Sequence, residues 1–203
     1  RYEGFAQFLT GKGFLVVGHD HLGHGQSVRG KRHYGYFCKP RPSDVLVSDI
    51  HQVAAITKGG YPGLPYFIFG HSMGSYLLRK YLTTCSAEVD GAIVCGTGSV
   101  PGALCRAGML ACGLLALFRG WHFRSRLVKR VTFSGPYAKF CMDGSDPENS
   151  WLSRNVESVK KYYEDPLCTF DFTLNGYYGL MSTVLYDGQE KHIRKIRADL
   201  PIF

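Results

Sequence analysis

Apolar positions recur along this chain in two rhythms, and the rhythm changes near residue 100. Tyr2, Phe5, Ala6 and Leu9 share one helical face, and Gly11 and Gly13 suit a helix C-terminus. Phe14-Leu15-Val16-Val17 follows as an unbroken apolar run between glycines, the pattern of a strand buried on both faces of a parallel sheet. Leu46, Ile50, Val53, Ala54 and Thr57 then form one stripe of a helix that Ser43 with Asp44 can cap, and that Gly59, Gly60 and Pro62 end. Tyr66-Phe67-Ile68-Phe69 is a second buried-strand run and Ala92-Ile93-Val94-Cys95 a third. Between them lies a helix with Leu77, Leu78, Tyr81 and Leu82 apolar. Strands alternating with helices predict an α/β sheet with right-handed crossovers.

From Val100 to about Ala198 strand-like runs give way to Gly- and aromatic-rich helical pieces, among them Leu104 to Phe118, Glu157 to Glu164 and Tyr177 to Tyr186. The division expected is therefore a partial sheet core over 1–99, a helical lid over 100–198, and the first residues of the next core strand in 199–203.

Composition adds modest limits. Of 203 residues, 45% are hydrophobic and 20% charged, which places the chain among globular proteins and excludes wholesale disorder. Seven cysteines, odd in number, widely spread and without a CxxC pair, speak against both a disulfide framework and a zinc site. Reduced thiols in a cytoplasmic protein are expected. No charged-then-apolar leader opens the sequence, although Arg1 is not a natural first residue. The most apolar stretch, Met109 to Phe118 with its neighbours, falls short of the roughly 20 residues a membrane-spanning helix needs.

Net charge is +8, and Arg119, Arg124, Arg126, Lys129 and Arg130 cluster beside Trp121, His122 and Phe123. Such a cluster reads first as a solvated helix face and second as a surface for anionic lipid headgroups, that is, peripheral contact with a membrane. No nucleic-acid motif accompanies it.

The chemistry centres on Gly70-His71-Ser72-Met73-Gly74. It matches GxSxG, with a buried strand run before it and an amphipathic helix after it, the context that gives the motif meaning. So sharp a turn strains the serine backbone and needs small flanks, which Gly70 and Gly74 supply. Ser72 is the expected nucleophile, and the Met73 N–H is placed to donate to an oxyanion at the positive end of the helix. His19, Asp20, His21 and His24 invite a metal reading, but Gly23 and Gly25 make a turning polar loop the simpler one. No metal or organic cofactor is expected.

The sequence Gly18-His19-Asp20-His21-Leu22-Gly23-His24-Gly25-Gln26-Ser27, upstream of the elbow, resembles the DxxGxGxS loop of the serine aminopeptidase-like α/β-hydrolases. That group includes monoacylglycerol lipases and lysophospholipases. Trp151-Leu152-Ser153-Arg154 and Tyr163-Glu164-Asp165-Pro166-Leu167 look like its lid region. The resemblance implies an α/β-hydrolase fold truncated at both ends, with the second oxyanion loop before this chain and the acid and base beyond Phe203. It implies a small-molecule lipid ester, monoacylglycerol or lysophospholipid, cleaved through an acyl-enzyme. Rival readings are an aminopeptidase of the same fold and a non-catalytic lipid-binding or membrane-surface module. His122, Asp187 and His192 are assigned no role in the triad, and residues 1–203 alone are expected to be inactive.

Overall fold

A computed structural model describes residues 2–133 and 137–203 of the chain. Two strands, β1 (Phe67–His71) and β2 (Gly91–Cys95), pair in parallel, with Phe67 opposite Gly91 and His71 opposite Cys95. A parallel pair needs a crossover. Here it is helix α3 (Met73–Cys85) followed by a 3-10 turn over Ser86–Glu88.

The buried face of α3 carries Leu77, Leu78, Tyr81 and Leu82, as the spacing predicts. It forms one core with Leu46 and Ile50 of helix α2 (Pro42–Gly60), Val89, Ala92, Phe37 and Leu200. Each such side chain removed from water contributes about 1.5–3 kcal/mol. The last residues run beside β2: Ala92 N–H donates to Pro201 O (3.0 Å), and Phe203 N–H donates back to Ala92 O (3.0 Å).

Three local expectations fail, each for a physical reason. Phe14–Val17 forms no strand, and Phe14, Leu15 and Val17 are exposed. An apolar run becomes a strand only where a neighbour offers a ladder of N–H and C=O groups, and no described strand lies alongside this one. The two strands are covered on one face rather than both: Phe67, Phe69 and Ile93 remain 54%, 41% and 41% exposed. Helix α1 (Glu3–Thr10) touches that open face through Tyr2 and Phe5 against Phe69, with ring centroids 6.3 and 5.7 Å apart. The third failure is the cap of α2. Arg41 occupies the cap position without a side-chain bond, because Ser43 and Asp44 lie inside the first turn and accept from the Lys80 ammonium, Ser43 Oγ at 2.8 Å.

Residues 100–198, where described, add helices and no strand to the sheet: α4 (Gly102–Arg119), α5 (Arg126–Phe133), α6 (Val156–Glu164), α7 (Leu174–Asp187) and α8 (Glu190–Ile193). Cys112 and Ala116 of α4, Val128 of α5, and Leu174 and Tyr177 of α7 make a second core. The lid is stitched to the core region by buried polar bonds. Asn175 Oδ1 accepts from Phe37 N–H (2.9 Å), while its amide donates to Cys38 O (2.6 Å). Thr173 caps α7 by accepting from Gly176 N–H and donates its own hydroxyl to Gly35 O (2.8 Å).

At 18 residues α4 spans about 27 Å, with mean hydropathy 1.4 over a window 17% buried. By length and composition it is enough to cross a bilayer, where the sequence reading made this stretch too short. Its Cys105, Cys112 and Ala116 nonetheless pack inward.

Candidate active site

Ser72 stands between the end of β1 and the start of α3 with φ 53° and ψ −119°, the one described non-glycine residue of positive φ. Left-handed backbone in a side-chain-bearing residue costs of order 1–3 kcal/mol and persists only where its surroundings hold it. Ser72 N–H donates to Cys95 O of β2 (2.9 Å), and Ser72 O accepts from Ser75 N–H (2.9 Å) and from Ser75 Oγ (2.6 Å). The residue is pinned to the neighbouring strand and to the first helical turn. Its hydroxyl makes no capping bond to α3 and the side chain is exposed.

Gly70 has a steric reason: a Cβ there would lie 2.5 Å from Gly74 O and 3.0 Å from Leu78 Cβ. Gly74 does not share it. A Cβ on Gly74 would meet nothing within 4 Å among the described residues, so the close approach constrains one glycine of the pair. Met73 opens α3, and its N–H is one of the first-turn amides that a helix leaves without a carbonyl of its own. His71 turns from the serine and shares a 2.6 Å hydrogen bond between Nδ1 and the Tyr2 hydroxyl.

Residues 1–199 match the family model described as serine aminopeptidase, S33. The chain is an α/β-hydrolase of this family. A monoglyceride lipase homologue of monkeypox virus is 30% identical over 173 residues, 82% of this chain and 51% of that protein. Human monoglyceride lipase is 43% identical over 74 residues, 36% of this chain and 22% of the enzyme. The chain thus spans about half of the viral relative and less of the human one. Among solved structures, a thermostable carboxyl esterase from Bacillus coagulans superposes with TM-score 0.85 at 24% identity, covering all of this chain and 64% of that one. A Paleococcus ferrophilus monoacylglycerol lipase superposes at 0.66 with 20% identity, covering all of this chain and 66% of the other. These structural likenesses establish the fold.

Within the S33 chain, no histidine after the elbow reaches Ser72 among the described residues. His122 stacks on Tyr36, with rings 4.0 Å apart and 3° from parallel, and burial lowers its pKa. His192 stacks on Tyr186 at 3.6 Å, with Nδ1 2.9 Å from Tyr186 O. Asp187, which sequence reasoning left without a role, is 3% exposed with both carboxylate oxygens unpartnered. Burial pushes its pKa up to about 7 against the opposing pull of Arg79 and Lys80. Only its place at the end of an apolar helix pointed to such burial.

The histidine loop is built as a turn. Asp20 Oδ2 accepts from Gln26 N–H (2.9 Å), and a Cβ on Gly23 (φ 79°) would sit 2.6 Å from Tyr36 O. His24 packs among Phe37, Phe170 and Phe172, and burial lowers His21 to about 3, so both rings are neutral at pH 7.

The basic cluster is partly consumed by the fold. The Arg124 guanidinium donates to the carbonyls of Tyr34, Arg32 and Asp171, Lys129 pairs with Asp171, and Arg119 lies 4.2 Å from the Phe123 ring. One cavity, about 450 Å³, is an apolar groove between Met109, Leu110, Leu114 and Leu117 of α4 and Trp121 and Tyr178. A second, about 280 Å³, lies between β2 and α8 and includes Asp187 and His192. Ser72 lines neither of these two.

Proposed function

We propose that the full-length protein is a carboxylic ester hydrolase for lipids of the monoacylglycerol kind, with Ser72 as its nucleophile. The positive φ of Ser72 at a strand-to-helix turn carries this reading, since such strain is retained where it aims a reactive group. The serine oxygen attacks the ester carbonyl carbon, the Met73 N–H donates to the oxygen that gains charge, and the bond to the alcohol breaks as that alcohol takes the serine proton. A histidine oriented by a carboxylate has to ferry that proton, and both are expected outside residues 1–203. Water then releases the fatty acid. The names of the viral and human relatives support the substrate class.

Peripheral membrane contact belongs to the same proposal. Leu110, Leu114, Leu117 and Phe118 follow helical spacing on α4, are 51–84% exposed, and are flanked by Arg106 and Arg119. An exposed apolar stripe of this kind marks an interaction surface.

The test uses the full-length protein, its Ser72→Ala variant and residues 1–203 alone, against a monoacylglycerol, a lysophospholipid and an aminoacyl amide, with a fluorophosphonate probe in parallel. Ester turnover and labelling by the full-length protein, both lost in Ser72→Ala, support the proposal. Preferential cleavage of the amide indicates a peptidase, and absence of labelling a non-catalytic module. Residues 1–203 alone are expected to hydrolyse nothing at an enzymatic rate.

A further inference from the structure

On the helical side of the sheet, remote from the elbow, three residues of different chemistry converge. His51 lies on α2, Cys85 ends α3, and Glu88 closes the turn after it. Their donor atoms all lie within 4.8 Å of one another. His51 Nδ1 is 3.5 Å from Glu88 Oε2 and 3.6 Å from Cys85 Sγ. Tetrahedral zinc binds nitrogen at about 2.0–2.1 Å, oxygen at about 2.0–2.2 Å and sulfur at about 2.3 Å. At tetrahedral angles those lengths place N and O about 3.4 Å apart and N and S about 3.6 Å apart. The two spacings from His51 match ligands on one tetrahedral zinc.

Two further observations favour a cation over an internal hydrogen-bond cluster. The carboxylate and the thiol face the same ring nitrogen. One Nδ1 has a single proton or lone pair to offer, so it cannot satisfy both partners, whereas a metal accepts from all three. The same arrangement excludes a Cys-His-Glu catalytic triad, in which nucleophile and acid occupy opposite ring nitrogens. Beside the cluster, Tyr81 is buried at 0% exposure and its hydroxyl lies close to the Cys85 thiol. The Tyr81 ring centroid is 6.4 Å from that of His51. This buried phenol thus adjoins the His51 ring and the Cys85 thiol. Metal ligands are ordinarily supported by such a second layer of donors, and a metal-bound thiolate accepts a hydrogen bond where a thiol has little call for one.

We propose that His51, Cys85 and Glu88 form a zinc(II) site whose fourth ligand is water, clamping α2 to the end of α3. His51 and Glu88 are exposed and Cys85 half-buried, so ions and water reach them from solvent. Lys58 holds the turn by donating its ammonium to Glu88 O (2.7 Å), leaving the carboxylate to the metal.

The experiment titrates cobalt(II) into the reduced, metal-free full-length protein, then displaces it with zinc(II). One equivalent is expected to give a thiolate-to-cobalt charge-transfer band that zinc abolishes, and zinc is expected to raise the melting temperature. Cys85→Ser should remove the band. His51→Gln and Glu88→Gln should each weaken zinc by more than about tenfold, and Tyr81→Phe by about tenfold. Unchanged circular dichroism and unchanged fluorophosphonate labelling at Ser72 show that each variant is folded. No band, or a band that survives Cys85→Ser because other cysteines bind, overturns the proposal. So does zinc affinity unmoved by His51→Gln and Glu88→Gln.

Discussion

Ser72 keeps its strained backbone because neighbours on two elements hold it, and the two glycines of its motif contribute unequally. Gly70→Ala drives a Cβ into the carbonyl of Gly74 at 2.5 Å, between two backbone segments that cannot swing aside. A loss of about 2–4 kcal/mol is expected. Gly74→Ala, inside the first turn of α3 with open space around it, should be neutral or stabilise by up to about 1 kcal/mol. Chemical denaturation of the two variants checks the contrast. Asp187 offers a second test. Its carboxyl has a folded-state pKa of about 7 against 3.8 in the unfolded chain, so between these values the folded state holds a proton that the unfolded state has lost. Stability therefore falls as pH rises from about 4 to 7 and levels off above. Asp187→Asn should flatten this slope and raise the melting temperature at pH 8, measured by thermal unfolding across that range.

At the scale of elements, what the sequence made legible was whatever depends on neighbours a few residues away. The stripe Leu46, Ile50, Ala54, the α3 face, both paired strands and the elbow followed from spacing and glycine placement alone. What required distant partners was not legible. Phe14–Val17 has strand composition without a ladder. Ser43 and Asp44 have cap chemistry but serve Lys80, a residue on another helix. The seam between the loop at Gly35–Cys38 and the start of α7 shows the same limit, since nothing local to Asn175 announces that it satisfies backbone groups so far back in the chain. Asn175→Ala leaves the N–H of buried Phe37 and the C=O of half-buried Cys38 without their partner, and should cost about 2–3 kcal/mol. The loss should appear in equilibrium unfolding, with fluorophosphonate labelling of the full-length protein reporting any disturbance at Ser72. The candidate site divides along the same line: a serine and its amide are local, whereas an acid and a base are brought to it by the fold.

For the whole molecule, the proposed membrane contact would draw on both the apolar stripe of α4 and the net charge of +8 carried by residues 1–203. Full-length protein should bind anionic vesicles more tightly than neutral ones, and binding should weaken as salt rises because headgroup attraction is screened. Leu114→Ser with Leu117→Ser should reduce binding to both vesicle types about tenfold or more, whereas salt should act mainly on the anionic ones; co-sedimentation separates these effects. The arrangement of core and lid also sets an order of events in time. The unit β1, α3, β2 completes its parallel ladder within Phe67–Cys95 with no residue of the lid in it, and Leu77, Leu78, Tyr81 and Leu82 are buried together with Leu46 and Ile50 of α2. Contacts so close in sequence form fast and open last. During synthesis the residues of this segment, and of α2 before it, are joined to the chain before those of α4. The hydrogen bond that holds Ser72 N–H on Cys95 O likewise needs no residue of the lid. Amide hydrogen exchange should find the protons of β1 and α3 the slowest to be replaced and those of α5 and α6 among the fastest.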